Sequence, residues 1–479
     1  MTGHRRGDAR DDVLPALVAG AVQAADALLA TGPGQVLVRQ VATRLTANAV
    51  AARGHLPAGL DTAGDPDGRC TLLAAPGGTD EPARAAAVTA AAITVSQCDE
   101  GLRESRGHPG LHAYAAALAT TEADDRSLRV FLRALAVGWE VGARLGLLLG
   151  APRPGVHPHG GWGTGAAAAA AGIVAGQDAA EVTDTVNLAL TVALAGPEAD
   201  TRRGRAAHYL LPALGTAHGV TVARLAAAGF PATGPALPHL GRTAHQGTPD
   251  GAGADAALLA RPLLPDAYFK PAGVCAHTLT GWTVARAMAR DLPADEVATV
   301  TVDTYAGAAL LAQRRPAGRL ARQFSIPWVV ACGLLGTDPG APDGPADDRR
   351  ARAAGLAERV TVRHDPGLDQ GYPAGRPAVV EVTTRSGARL AGRARFHHGD
   401  REDPMTADEL AAVDAALLRT PGTPAGAAEL LYGLTRAPGA TRLRDLTALV
   451  RGGAPNPNGG PPPVPAGPGP SGRKDMTSW

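Results

Sequence analysis

The chain has 479 residues, enough for two or three domains with their own cores. Its formal charge is +1, from 46 basic and 45 acidic residues, which argues against a nucleic-acid binder with its basic patch or stripe. Aromatic residues are only 3% of the chain and alanine is abundant, so the expected core is closely packed helices with short side chains. Cys70, Cys98, Cys275 and Cys332 show no CxxC or paired spacing and read as free thiols of a reducing compartment. Residues 1–12 are polar with no apolar signal region, and the apolar window 127–146 is broken by Arg129, Arg133, Glu140 and Arg144. The expectation is a soluble cytoplasmic protein with no membrane partner.

Taken in order, residues 1–10 read as disordered. Helices are expected over 13–29 and 36–52, separated by Gly32-Pro33-Gly34, and the Pro/Gly-rich stretch 57–78 reads as a surface loop. Residues 85–96 form a helix of small residues that runs into Gln97-Cys98-Asp99-Glu100. After Gly107-His108-Pro109-Gly110 a helix starts near Leu111, and Ser127 caps another. In that helix Leu128, Phe131, Leu135, Trp139 and Gly142 keep helical spacing, and Glu140 with Arg144 forms an i,i+4 pair. Helices are expected over 166–175 and 179–194, then a helix pair over 202–211 and 215–228. No strand is convincing before residue 256. Beyond it, 297–302 and 359–363 alternate as strands do, and 379–384 with 389–396 flank the hairpin signal Ser386-Gly387. Helices fall at 279–290, 325–335, 406–418 and 425–434. The resulting plan is α+β: a large all-helical domain over 11–265 and 403–452, an inserted α+β domain over 266–402, and a disordered Pro/Gly-rich tail over 453–479. An insertion of this kind creates an interdomain cleft, a preferred ligand site.

Lysine marks the chemistry. Only two of the basic residues are lysines, Lys474 in the tail and Lys270. Arginine stays charged at any working pH, whereas a lysine loses its proton more readily when buried, so a lone Lys270 in an irregular Pro/Gly loop with Cys275 and His277 is a candidate for acid/base work. Ionisable residues also gather at the loop–helix junctions around Asp99/Glu100, His108, His157/His159 and His208. Metal-ligand spacing is poor: there is no HExxH, Pro109-Gly110 interrupts the His108/His112 pair, and His157 and His159, as alternate residues, are expected to point apart. His397-His398 reads as a surface pair. Glycine-rich 161–165 lacks a preceding strand and a phosphate-loop lysine, and no GxSxG elbow is present. What remains is a metal-free His/Lys site, with a possible carboxylate, able to abstract a proton alpha to a carboxylate and hold the developing charge.

Four segments resemble the MmgE/PrpD family, over roughly residues 15–450: Gly107-His108-Pro109-Gly110; Gly155-Val156-His157-Pro158 followed by Trp162-Gly163-Thr164 and an alanine run; Lys270-Pro271 with Cys275 and His277; and Phe324-Ser325-Ile326-Pro327-Trp328. The resemblance implies a helical domain carrying a smaller α+β domain, a homodimer, no cofactor, and a small carboxylate-bearing substrate. It implies catalytic roles for His108, His157, Lys270 and His208, and substrate-binding roles for Gln97, Asp99, His159, Cys275, His277 and Trp328, with no metal. Four positions depart from the family pattern. Gln97 stands where the family has an active-site acid, Thr94 where it has a histidine, His208 falls at about a family lysine, and Trp328 replaces a tyrosine. The implied activity is a cofactor-independent dehydratase or decarboxylase, with a specialised biosynthetic substrate suggested by the altered positions. An epimerase using the same proton abstraction, or a non-catalytic binding protein, are the alternatives. Lys270→Ala is expected to abolish activity with little change in the melt.

Overall fold

The run of six alanines at 166–171 sets the packing. In the computed structural model, which describes residues 13–60, 62–231, 234–246, 261–342 and 348–452, these alanines lie in a helix buried along its whole length. The first part of the chain forms α1 (Leu14–Leu29), α2 (Gly32–Ala51), α3 (Pro82–Ser96), α4 (Pro109–Ala123), α5 (Leu128–Leu149), α6 (Trp162–Val174), α7 (Ala179–Leu190), α8 (Ala199–Arg202), α9 (Ala207–Ala227) and α10 (Leu237–Ala244). Helix α6 is the centre, with α4, α5, α7 and α9 around it. Short side chains let the backbones close in. A Cβ on Gly138 of α5 would lie 2.8 Å from that of Ala170, and one on Gly219 of α9 would lie 2.6 Å from the Thr164 carbonyl oxygen.

The sheet comes later. Strands β5 (Val297–Thr304), β6 (Val360–His364), β7 (Ala378–Thr384) and β8 (Arg389–Ala394) make a four-stranded sheet in the order β6-β5-β7-β8, parallel between β5 and β6 and antiparallel elsewhere. Its covering helices are α11 (Leu279–Met288), α14 (Ile326–Leu335) and α15 (Asp348–Ala357), with short α12 (Ala306–Ala309) and α13 (Gly318–Gln323) between β5 and α14. The chain then returns to the helical layer as α16 (Ala407–Leu418), α17 (Ala427–Arg436) and α18 (Leu443–Thr447), where α16 and α17 pack on α2. The fold is α+β. No single described helix is long and apolar enough to cross a membrane, although α1 and α2, bent by 106°, pass that test as a pair while being largely buried.

Several local expectations change. Residues 207–227 form one helix, not a pair: Pro212 is accommodated inside it, and Gly215 and Gly219 are contact points on α6 rather than a break. Gly32, Pro33 and Gly34 open α2, because Thr31 caps the Gly34 N–H and proline suits a first turn. Ser127 occupies a cap position without a side-chain hydrogen bond. The stretch 57–78 is not all surface: Cys70, Leu72 and Leu73 are buried, and Cys70–Thr71 (β1) pairs with Gly78–Thr79 (β2). A two-residue strand, Glu100–Gly101 (β3), also precedes residue 256 and pairs with Tyr268–Phe269 (β4). Helix α15 was not anticipated from its arginine-rich sequence. His397 is wholly buried against the edge of Tyr268, while His398 is half-buried and faces Asp403 and Glu409. The segments 1–10 and 453–479 lie outside the described residues.

Candidate active site

Strand register places Lys270. In the antiparallel pair β3–β4, Glu100 faces Phe269 and Gly101 faces Tyr268, so the next position sets Asp99 opposite Lys270. Lys270 Nζ lies 2.6 Å from Asp99 Oδ1 and donates to the Gln97 carbonyl at 3.1 Å. Both side chains are essentially inaccessible, at 0% and 3% exposure. The pair is framed by residues of α2 and α16. Asn48 of α2 bonds both the N–H and the carbonyl of Cys98, Arg44 donates to the Lys270 carbonyl at 3.0 Å, and Asp414 of α16 neutralises Arg44. The buried Glu140–Arg144 pair supports the approach to β4, since Glu140 accepts the N–H groups of Leu263 and Leu264 at 2.9 Å each. Glu100 turns away towards Gly110, and burial with the nearby Asp99 charge pushes its carboxyl up to about 8.

Asp99 also reaches His108. Its Oδ2 is 3.1 Å from His108 Nδ1, which also lies 2.6 Å from the Glu100 carbonyl oxygen. A carbonyl only accepts, so Nδ1 carries the proton and Nε2 is the unprotonated nitrogen. Burial raises the Asp99 carboxyl, but His108 and Lys270 outweigh it and hold the group below the usual carboxylate range. Burial lowers His108 to about 4 despite Asp99, so its imidazole is neutral at pH 7. His157 has the opposite polarity: the His159 N–H points at its Nδ1 from 3.3 Å, leaving the proton on Nε2. Burial, then His108, lowers His157 to about 3.

Four histidines converge. His159 stacks on His108 at 5.4 Å and on His157 at 4.9 Å, between ring centroids, and His208 meets His157 edge-on at 5.2 Å. The expectation that His157 and His159 point apart is therefore corrected: a short 3-10 turn at Pro158–Gly160 curls the chain and brings both rings to one side. His112, four residues into α4, also packs against His159 at 5.6 Å. His208 is held by Thr201 Oγ1 at Nδ1, 2.8 Å, and faces the Gln97 amide at Nε2, 3.3 Å. That amide nitrogen donates also to the Thr94 carbonyl, and Gln97 sits in the left-handed region at φ 55°. Burial holds both His159 and His208 well below the ordinary histidine value.

The rings border a cavity of about 280 Å³ between the helical layer and the loops and short helices that flank the sheet. His108, His157, His159, His208 and Gln97 line it from the helical side, and Cys275 and His277 from the other. Lys270 and Asp99 stand one layer back, behind His108. Trp328 is not on the wall. It packs with Ala272, Val274 and Val329 and donates to the Pro339 carbonyl at 3.1 Å. A hollow of about 300 Å³ beside Gln177 and Phe230 has only the exposed carboxylates Glu181 and Asp184 as ionisable groups. Among the described residues no three His, Cys, Asp or Glu side chains are arranged to hold a metal ion. Tyr268, which adjoins the Lys270 loop, is on the wall too, and Tyr372, Arg106 and Arg376 are wall residues that sequence reasoning misses, since arginine is everywhere in this chain and a tyrosine carries no motif of its own.

No curated protein matches the chain. Two family models do: the MmgE/PrpD N-terminal domain over residues 42–239, which carries the histidine cluster and Asp99, and the MmgE/PrpD C-terminal domain over 272–413, which carries the sheet and the opposite wall. With both halves matched in order over most of its length, the chain belongs to the MmgE/PrpD family.

Proposed function

We propose that this protein is a lyase that removes the proton alpha to a carboxylate of a small acid and expels water from the neighbouring carbon or, where carbon dioxide leaves instead, returns a proton to the carbon that has lost it. Family membership supports a dehydratase-type or related enzyme in general terms, and the reaction itself is our reading of the site. The observation that carries it is the chain Lys270–Asp99–His108, which fixes an unprotonated Nε2 on a ring bordering the cavity. In this reading His108 takes the proton. Asp99 stabilises the imidazolium that forms, and Lys270 keeps Asp99 ionised and oriented. His157, with its proton on Nε2, donates to the leaving group or to the developing enolate. Arg106 and Arg153 on the wall give the cavity a field suited to an anionic substrate, while Glu198 is neutralised by Arg202 at 2.7 Å.

One accepting and one donating imidazole in a single cavity also favour a second reading, epimerisation, in which the proton is returned and nothing leaves. Proton NMR in heavy water, with citrate-, aconitate- and malate-like acids and a chelator present, separates the two. Loss of a group supports the lyase. Alpha-deuteration without loss supports the epimerase. Silence across the panel, with correctly folded protein, counts against both.

A further inference from the structure

The wall facing the histidines contains a cation with no ion-pair or hydrogen-bond partner for its guanidinium among the described residues. Arg376 lies just ahead of β7, its backbone N–H bonded to the Arg395 carbonyl at 2.9 Å, and the residue is 4% exposed. None of its guanidinium nitrogens hydrogen-bonds another described residue, and Nε and Nη1 are fully buried. Nor does it form an ion pair with a described residue. Asp400, close enough to act on it electrostatically, sits nearer other groups: Oδ1, which accepts no hydrogen bond, is 3.3 Å from Arg103, and Oδ2 accepts the His397 N–H at 3.0 Å. Its clearest contact is the face of Tyr268, 4.8 Å from guanidinium carbon to ring centroid. Buried charges are ordinarily paired and hydrogen-bonded, so an empty guanidinium at a cavity wall is a site awaiting an anion.

We propose that Arg376 is the carboxylate anchor of this cavity, binding one carboxylate of a small organic acid through its planar donor fork. Arginine suits this role because the fork matches the two oxygens of a carboxylate. The surroundings fit. His277 and Tyr372 line the same wall, His277 is hydrogen-bonded to Tyr305, and Tyr305 stacks on Tyr372 at 4.8 Å, so the donors beside Arg376 are held by one another. The anchor is also placed relative to the base. The Tyr268 ring that carries Arg376 on its face meets His108 edge-on at 6.3 Å. Arg376 and His108 thus flank one ring on the wall of one cavity, so a small acid held by Arg376 shares that cavity with the base. This inference rests on the acid/base reading for its meaning, but binding tests it without turnover.

The experiment is isothermal titration of the full chain with succinate, tricarballylate and the neutral succinamide, comparing wild type with Arg376→Gln and Arg376→Lys. Expected are binding of the acids but not of the diamide, a loss of at least about tenfold in Arg376→Gln, and a partial loss in Arg376→Lys. Unchanged acid affinity in Arg376→Gln overturns the anchor, as does binding of succinamide equal to that of succinate, or no binding of either acid to wild type at millimolar concentration. If Arg376→Gln does not fold, Arg376→Lys decides on the same criterion. Arginine-dependent binding together with silence across the citrate-, aconitate- and malate-like panel supports the anchor and counts against the lyase and epimerase readings alone.

Discussion

Lys270 and Asp99 form an ion pair of 2.6 Å with neither side chain more than 3% exposed. Their pairing follows from backbone register, because the β3–β4 ladder sets the two positions opposite each other. A buried pair of this kind contributes little net stability over an apolar replacement, yet breaking it leaves one charge uncompensated. That asymmetry revises the simple expectation that Lys270→Ala spares the melt.

Lys270→Ala is expected to abolish activity and to cost about 3–5 kcal/mol by leaving Asp99 without its main partner. The double variant Lys270→Met with Asp99→Asn removes both charges, and most of that stability is expected to return while activity does not. Urea unfolding and an activity assay on the same samples check both halves. A single variant with an unchanged unfolding curve would mean that the pair is not formed in solution.

His108 and His157 carry protons on opposite nitrogens, so their variants are expected to differ. His108→Gln should lower turnover by about 10²–10⁴ and abolish alpha-proton exchange with solvent. His157→Gln should also slow turnover, by about 10²-fold, while slow exchange persists because the base is intact. Deuterium incorporation measured by NMR on both variants is the check, and loss of exchange in His157→Gln alone would exchange the two roles.

The pH dependence follows from burial. His108 is lowered to about 4 and His157 to about 3, so the neutral forms persist well below the ordinary histidine range and turnover should hold down to about pH 5. The stability sign is also fixed. A histidine whose folded value lies below its unfolded 6.5 is protonated first in the unfolded chain. Its contribution is full above 6.5 and is lost as pH falls towards the folded value. The melting temperature of His157→Gln should therefore fall less steeply between pH 6.5 and 4 than that of wild type. Equal slopes would mean that the ring is solvated.

Local chemistry made much of this legible. The lone lysine, the glycine- and proline-flanked histidines and the period-2 strands each carry their signal in a few neighbouring residues. Long-range pairing hid the rest. Nothing near Asp99 announces that β4 will lie beside it, since a two-residue strand has no periodicity to read. The glycines of α9 looked like breaks because their purpose, contact with α6, belongs to another helix. Likewise His397 looked exposed because the ring that covers it, Tyr268, comes from far away in the chain. Arg376 stands out only once its guanidinium has no hydrogen-bond partner among the described residues, a property no sequence window contains.

Two departures from the family pattern turn out to touch. Gln97 and His208, at positions where the resemblance expects an acid and a lysine, face each other at 3.3 Å across the cavity wall. An amide suits this place because it donates to the Thr94 carbonyl at 2.9 Å and to His208 Nε2, both acceptors in this arrangement. A carboxylate there would meet the Thr94 oxygen with no proton to offer, and a lysine at 208 would need an anion. The two changes thus read as one exchange of a charged pair for a neutral one. Gln97→Glu and His208→Lys are each expected to cost roughly 3 kcal/mol, as buried charges without partners. The double variant should recover about 2–3 kcal/mol of the combined loss through coupling of adjacent sites. A double-mutant cycle by urea unfolding tests this. Simple additivity would mean that the two positions changed independently, and the altered wall would then reflect two separate adjustments rather than one.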